Sequence, residues 1–224
     1  ANVAANLAAL RPASISAIGA IGEDIYGREL RRRLAERGVD TERLVVQEEG
    51  FDTVTFAKPY LEGAEQNRVD FGFCNRRSAE TDRMLLAGMR SAMETVDVLI
   101  VNQQVPGSIP NDAFFEEASA LFAACPDTVV PLDPRHYGDR FRNVCLKTND
   151  VEAAVLNGGQ AAPGDVIALD DLRRCGNDLF KTFGRPVFIT RGSRGIVTVD
   201  DEGVHEVPGL QLLGTLDPVG AGDT

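Results

Sequence analysis

From residue 80 onward, helical periodicity and short apolar runs take turns along the chain, and this alternation restricts the fold more than any other feature. Helical patterns at 81–93, 111–124, 150–157 and 170–182 are interleaved with apolar runs at 97–101, 128–133, 144–147 and 186–190. A strand that is apolar along its whole length must be covered on both faces, so these runs predict a mostly parallel sheet between helices. In such a sheet, ligands gather at the carboxyl ends of the strands. Those ends carry Asn102-Gln-Gln104, Asp133-Pro-Arg135, Thr148-Asn149 and Thr190-Arg-Gly192. A hairpin, 195–199 with 204–207, follows the last parallel strand.

The first third reads differently. Residues 2–10 are strong helix formers closed by Arg11-Pro12, a strand is expected at 14–18 running into Gly19-Ala-Ile-Gly22, and a helix at 23–37. Ile25, Leu30 and Leu34 would share that helix's buried face, with Gly38 ending it. Between 44 and 73, β-branched and aromatic residues alternate with polar ones in Thr53-Val-Thr-Phe56 and Arg68-Val-Asp-Phe71, around a turn at 61–67. That is a hairpin with one buried face, placed as a lid.

Bulk properties narrow the function. The 224 residues suffice for one substantial core with a small appendage. A net charge of −11 argues against a nucleic-acid or membrane-surface partner, so a bound nucleotide would be attracted locally, by helix N-termini, glycine loops and single cations. Cys74, Cys125, Cys145 and Cys175 are widely spaced and read as reduced thiols of a cytoplasmic protein. His136 and His205 fall in no metal or triad pattern. No run of 18 apolar residues occurs, so neither a membrane span nor a signal peptide is expected from these residues.

The chemistry concentrates in the closing octapeptide, Asp217-Pro-Val-Gly-Ala-Gly-Asp-Thr224. Glycines let backbone N–H groups approach an anion closely, as a phosphate-facing loop opening a helix would. Asp223 beside developing negative charge is awkward for phosphate binding alone but useful for taking a proton from an attacking hydroxyl, which points to phosphoryl transfer. Other segments have ordinary structural readings. Asn149-Asp-Val-Glu152 reads as a helix cap, Thr190-Arg-Gly-Ser-Arg-Gly195 as a tight turn between strands, Asn2 as a cap and Asp24 as a helix start. There is no Gly-x-x-x-x-Gly-Lys-Ser/Thr and no protein-kinase signature.

Taken in order, these segments resemble the ribokinase-like, or phosphofructokinase-B, carbohydrate kinases. The closing loop is similar to the family's Asp-Thr-Thr-Gly-Ala-Gly-Asp, with Pro218 and Val219 in place of the threonines. Asn149 and Glu152 match its Asn-x-x-Glu, Thr190, Gly192 and Gly195 its Thr-x-Gly-x-x-Gly, Asn2 the tail of its first signature, and Gly19, Gly22, Asp24 and Gly27 its second. The wording of several segments is most similar to heptose-7-phosphate kinase domains. The resemblance implies an α/β, ribokinase-like three-layer fold with a mostly parallel central sheet and a small β-hairpin lid. It divides the chain into the start of the α/β core at 1–41 (its preceding strand absent), a lid at 42–76, and a nucleotide- and substrate-binding core at 77–224 (its C-terminal helices absent).

It also implies roles. Asp223 would be the base and Gly220, Ala221 and Gly222 the anion hole. Asn2, Lys58, Arg68, Asp70 and Gln104 would meet the sugar or sugar phosphate. Asn149, Glu152, Thr190, Gly192 and Gly195 would meet ATP, with Arg191 and Arg194 adding charge. Glu152, with Asn149 through water, would organise Mg2+, and Asp217 is the candidate for holding a monovalent cation such as K+. Exposed strand edges on the lid make a homodimer the expected assembly. The alternatives are a kinase of ribose, fructose or a nucleoside, and a relative that binds ligand without catalysis.

Overall fold

The computed structural model describes residues 2–105 and 111–210. The chain folds as two compact units, the first built chiefly on residues 2–91 and the second on 92–104 with 112–210.

In the first unit, α1 (Asn2–Leu10) ends at Arg11, whose φ of 54° turns the chain ahead of Pro12. β1 (Gly19–Gly22), α2 (Ile25–Ala35) and β2 (Leu44–Gln47) follow, with β1 and β2 parallel and Gly19 opposite Leu44. The strand expected at 14–18 makes only a single bridge there, Ser16 to Asp40, and the ladder falls on the glycine run instead. The cause is close approach: a Cβ on Gly22 would lie 2.5 Å from the Phe51 carbonyl oxygen, and one on Gly27 would lie 2.4 Å from that of Gly22. Gly27 also decides which face of α2 turns inward. Gly27, Leu30 and Leu34 form the inward stripe at helical spacing, whereas Ile25, expected on that face, is 65% exposed. Leu34 packs with Ile21, Val39 and Leu44, each such burial being worth roughly 1.5–3 kcal/mol. Gly38, at φ 75°, closes the helix, its N–H donating to Ala35 and that of Val39 to Leu34.

The hairpin follows. β3 (Thr55–Ala57) and β6 (Val69–Phe71) are antiparallel, and β4 (Tyr60–Leu61) with β5 (Ala64–Glu65) forms a second ladder inside the stretch expected as a turn. β2 lies within the residues expected to be lid, yet it pairs with β1, so the antiparallel part begins only at β3. Two polar ties fix the hairpin's base. The buried Asn75 side chain donates to the Asp52 carbonyl (2.6 Å) and accepts from its N–H (2.9 Å). Asp24 caps α2 by accepting from Gly27 N–H (2.7 Å) and also accepts from Thr53 N–H (2.7 Å). α3 (Ala79–Met93) follows the hairpin.

The second unit is built on one six-stranded sheet. Its elements are β7 (Val101–Gln103), α4 (Asp112–Ala124), β8 (Pro131–Pro134), β9 (Cys145–Asn149), α5 (Asp150–Leu156), α6 (Leu169–Phe183), β10 (Val187–Thr190), β11 (Ile196–Asp200) and β12 (Gly203–Val207). In space the order is β12-β11-β10-β9-β8-β7, parallel from β7 to β10 and antiparallel through the closing hairpin. The run at 97–101 contributes the bridge of Val98 to Val129 and then β7 proper, shifted toward the polar strand end. One sheet face is sealed: Leu132, Leu146, Val187, Ile189, Val197 and Val199 are fully buried, and α5 and α6 pack against these strands. α6 comes close because Gly176 stands where a Cβ would lie 2.6 Å from Val199 Cγ2.

Candidate active site

The registers of the second unit put a row of polar residues on the sheet face opposite that buried one. Asn102 lies beside Asp133 and Asn149 beside Thr190, while Lys147 reaches Asp133 at 3.2 Å across β9 and β8. Side chains two residues apart on a strand share a face, so the alternation of each strand carries these groups together.

At the ends of β9 and β10 the expected nucleotide residues meet. Asn149 caps α5, its Oδ1 accepting from Glu152 N–H at 2.8 Å, and Glu152 Oε2 accepts in return from Asn149 N–H at 3.1 Å. This is the reciprocal capping box that the spacing predicts. Glu152 Oε2 also accepts from the Thr148 hydroxyl at 3.1 Å. Both bonds fall on one carboxylate oxygen, and Oε1 takes none among the described residues. Mg2+ keeps several waters and takes few protein ligands, so one half-buried carboxylate with an oxygen to spare fits it. Among the described residues no three His, Cys, Asp or Glu side chains converge as a metal cluster.

Thr190 Oγ1 donates to the Thr148 carbonyl at 3.2 Å, tying β10's last residue to β9. Beyond it the chain makes a short 3-10 turn at Gly192–Arg194, with Gly192 at φ 57° and Gly195 at φ 92°. A Cβ on Gly195 would lie 2.0 Å from the Val207 carbonyl, so the position admits glycine alone. Of the two arginines expected to add charge here, Arg191 is largely buried, 3.9 Å from Glu206, and Arg194 pairs with Asp150 at 2.6 Å. Asp150 was missed by sequence reasoning: an acid at the first position of a helix reads as a dipole partner, and nothing local pairs it with an arginine 44 residues away.

Gln104 is held by its neighbours, donating to Asn102 Oδ1 at 2.5 Å and accepting from Arg135 Nε at 3.3 Å. In the first unit, Asn2 opens α1 and is exposed. Lys58, Arg68 and Asp70 all lie on the hairpin. Arg68 binds Asp70 through two bonds (2.6 and 2.8 Å) and lies 4.6 Å over the Phe56 ring, while Lys58 pairs with Glu65 at 2.9 Å. The β3–β6 register places Phe56 opposite Asp70, so this charged group shares one hairpin face. Its cations are therefore already partnered by carboxylates. The Glu65 carboxyl is held below its usual range by hydrogen bonds from Lys58 and Tyr60, with the Lys58 charge reinforcing them. Asp217, Gly220, Ala221, Gly222 and Asp223 lie outside the described residues.

Comparison with solved structures gives the class. Ribokinase from Giardia lamblia aligns with 99% of this chain and 67% of its own, at 18% identity and a TM-score of 0.74. Escherichia coli phosphofructokinase-2 in complex with fructose-6-phosphate aligns with 99% of this chain and 70% of its own, at 19% identity and a TM-score of 0.67. The fold is thus ribokinase-like α/β, with a mostly parallel sheet. The sequence pattern described as pfkB family carbohydrate kinase matches residues 1–224, and the chain belongs to that family. The bifunctional protein HldE of Azorhizobium caulinodans is 29% identical over 229 residues, taking in the whole of this chain and 46% of that protein. HldE of Wolinella succinogenes is 31% identical over 106 residues, which are 47% of this chain and 22% of that protein. The chain therefore spans less than half the length of these curated relatives.

Proposed function

We propose that this protein transfers the terminal phosphoryl group of ATP to a hydroxyl of a sugar or sugar phosphate. Family membership supports the reaction class. The observation that carries the proposal is the junction at the ends of β9 and β10, where Asn149, Glu152 and Thr190 are bonded through Thr148 into one polar edge. Ligands of parallel sheets bind at such edges.

In this reading Asp223 accepts the proton of the attacking hydroxyl, and the backbone N–H groups of Gly220, Ala221 and Gly222 stabilise charge on the transferring group. Thr190, Gly192 and Gly195 line the nucleotide phosphates, Asn2 and Gln104 orient the acceptor, and Lys58, Arg68 and Asp70 meet it from the hairpin. Glu152, with Asn149 through water, would hold Mg2+, which neutralises phosphate charge when bound. Asp217 is the candidate for a monovalent cation such as K+. Closure of the hairpin would exclude water as a competing acceptor. A sugar phosphate would offer Arg68 and Lys58 charge-assisted bonds of the same kind that they make with Asp70 and Glu65. Two chains would associate through their hairpins.

The test is ADP release coupled to a panel of acceptors, among them a heptose 7-phosphate, fructose 6-phosphate, ribose, fructose and a nucleoside. Turnover confined to one sugar phosphate is expected. Asp223→Asn should lose at least about a hundredfold in turnover, the range of a general base, while binding MgATP as the native chain does. Near-normal turnover by that variant would end the assignment of Asp223, and MgATP binding without transfer to any acceptor would favour a non-catalytic binder.

A further inference from the structure

We infer that Asp150, through its ion pair with Arg194, is a positioning residue that fixes the glycine turn after β10 against the head of α5; the inference rests on the nucleotide-binding role proposed for that turn. β9 and β10 are neighbours whose last residues, Asn149 and Thr190, are in register. Beyond that pair the chains part, one entering α5 at Asp150 and the other turning through Gly192–Arg194. The turn's backbone bonds, Arg191 N–H to Gly195, Arg194 N–H to Arg191 and Gly195 N–H to Gly192, are internal to it. They set its shape without setting its place beside Asn149 and Glu152. With glycines at both ends and positive φ at each, the turn takes its place from contacts outside it, and on the side of β12 these are the packing of Gly195 on the Val207 carbonyl and Arg191 near Glu206.

Thr190 supplies one tie, at the root of the turn. Asp150 supplies another, at its far end. Its Oδ2 binds Arg194 Nη2 at 2.6 Å while Oδ1 accepts from Val151 N–H at 3.1 Å, so both oxygens are engaged. The carboxylate is nearly buried, its side chain 12% exposed against 37% for Arg194, and a charged hydrogen bond shielded from water on one side holds its geometry better than an open surface pair. Asp150 therefore belongs to the same helix head as Asn149 and Glu152 but faces a different task. Asn149 and Glu152 bind each other across the capping box, and Asp150 binds the turn. The two groups proposed to meet the nucleotide are thereby coupled through a pair that need not touch it. An arginine committed to a carboxylate also adds little net positive charge at the turn, so Arg194 acts here as a strut.

The experiment compares the whole chain with Asp150→Asn, Arg194→Gln, the double variant, Arg194→Lys and the reversal Asp150→Arg/Arg194→Asp. MgATP affinity is read by calorimetry, KM for ATP and kcat by coupled assay, and folding by melting temperature without nucleotide. Either single variant should weaken MgATP by roughly three- to tenfold, the double should be no worse than the weaker single, and kcat at saturating ATP should hold within about twofold, as coupling within one contact requires. Arg194→Lys and the reversal should recover part of the affinity. Unchanged MgATP affinity with a lowered melting temperature would show a merely structural pair and overturn the inference. Tighter binding by Asp150→Asn would also overturn it, because Arg194 would then be a phosphate ligand that Asp150 screens. If the native chain itself binds no MgATP, the kinase reading fails first, and that outcome is visible before any variant is compared.

Discussion

At the scale of single residues, Asp24 shows how one side chain can serve two neighbours. Burial alone would raise its carboxyl, but N–H groups donated by Thr53 and Gly27, with further help from the Thr53 hydroxyl and the Tyr26 N–H, outweigh burial and hold it below the usual carboxylate range. The folded-state pKa is therefore depressed. Its contribution to stability is complete above the unfolded pKa and is lost as pH falls through the folded one. Asp24→Ala removes a helix cap and the anchor of Thr53, and should cost roughly 1–2 kcal/mol at pH 7. Denaturant titrations of native and variant chains should show that gap narrowing once pH drops below about 4, near the free carboxyl value. A gap that stays constant down to pH 3 would mean that the carboxylate charge contributes nothing. Gly22 and Gly27, on either side of Asp24, are packed against backbone oxygens. Thr53 as the partner was not legible, since a contact across 29 residues leaves no local pattern. The same holds for Asp150 and Arg194. Residue pairs within one helical turn, such as Asn149 and Glu152, were readable because spacing alone brings them together.

At the scale of elements, helices were easier to place than strands. α3, α4 and α6 begin within about two residues of their expected starts, the usual tolerance for a helix boundary, because the apolar stripe of each lies within its own segment. Strand limits depend on which partner lies alongside. β1 slid onto the glycines at 19–22 and β7 moved toward Gln103 because pairing with β2 and β8 decides the ladder. The hairpin's second ladder was hidden for the same reason: Tyr60–Leu61 and Ala64–Glu65 are too short to alternate visibly. α5 offers a test that separates its structural from its proposed chemical role. Glutamine satisfies the third position of a capping box as glutamate does, so Glu152→Gln should leave the melting temperature within about 2 °C of native, the shift expected of a change under about 0.5 kcal/mol. It removes the charge proposed to face Mg2+, and ATP-dependent turnover should fall by at least about tenfold, with a raised Mg2+ requirement. Equal loss of stability and activity would assign Glu152 to the helix cap alone.

At the scale of the whole molecule, the hairpin is the element least able to stand by itself. Two strands paired only with each other are marginal in water, and among the described residues β3 pairs with β6 alone, which leaves an edge on each strand without a ladder. Tyr60, Leu61, Val69 and Phe73 are exposed on it. Apolar side chains around an unpaired edge suit a second copy, whose hairpin could continue the ladder and cover them. Charge works in the other direction. At −11 per chain, two copies repel, so association must come from local apolar contact and backbone pairing. The proposed homodimer therefore carries a sign that can be checked: added salt screens the repulsion and strengthens the dimer, whereas an interface built on ion pairs would weaken. Sedimentation velocity at micromolar concentration should show a dimer for the native chain, tighter at 0.5 M than at 0.05 M salt by this screening argument. The double variant Leu61→Lys/Val69→Lys should sediment as a monomer, and because both side chains are already exposed its unfolding free energy should shift by no more than about 0.5 kcal/mol per site beyond the loss of dimer. A native chain that is monomeric in both salts, or a variant that still dimerises, would remove the hairpin as the interface and leave its apolar edge to the closing motion proposed over the acceptor.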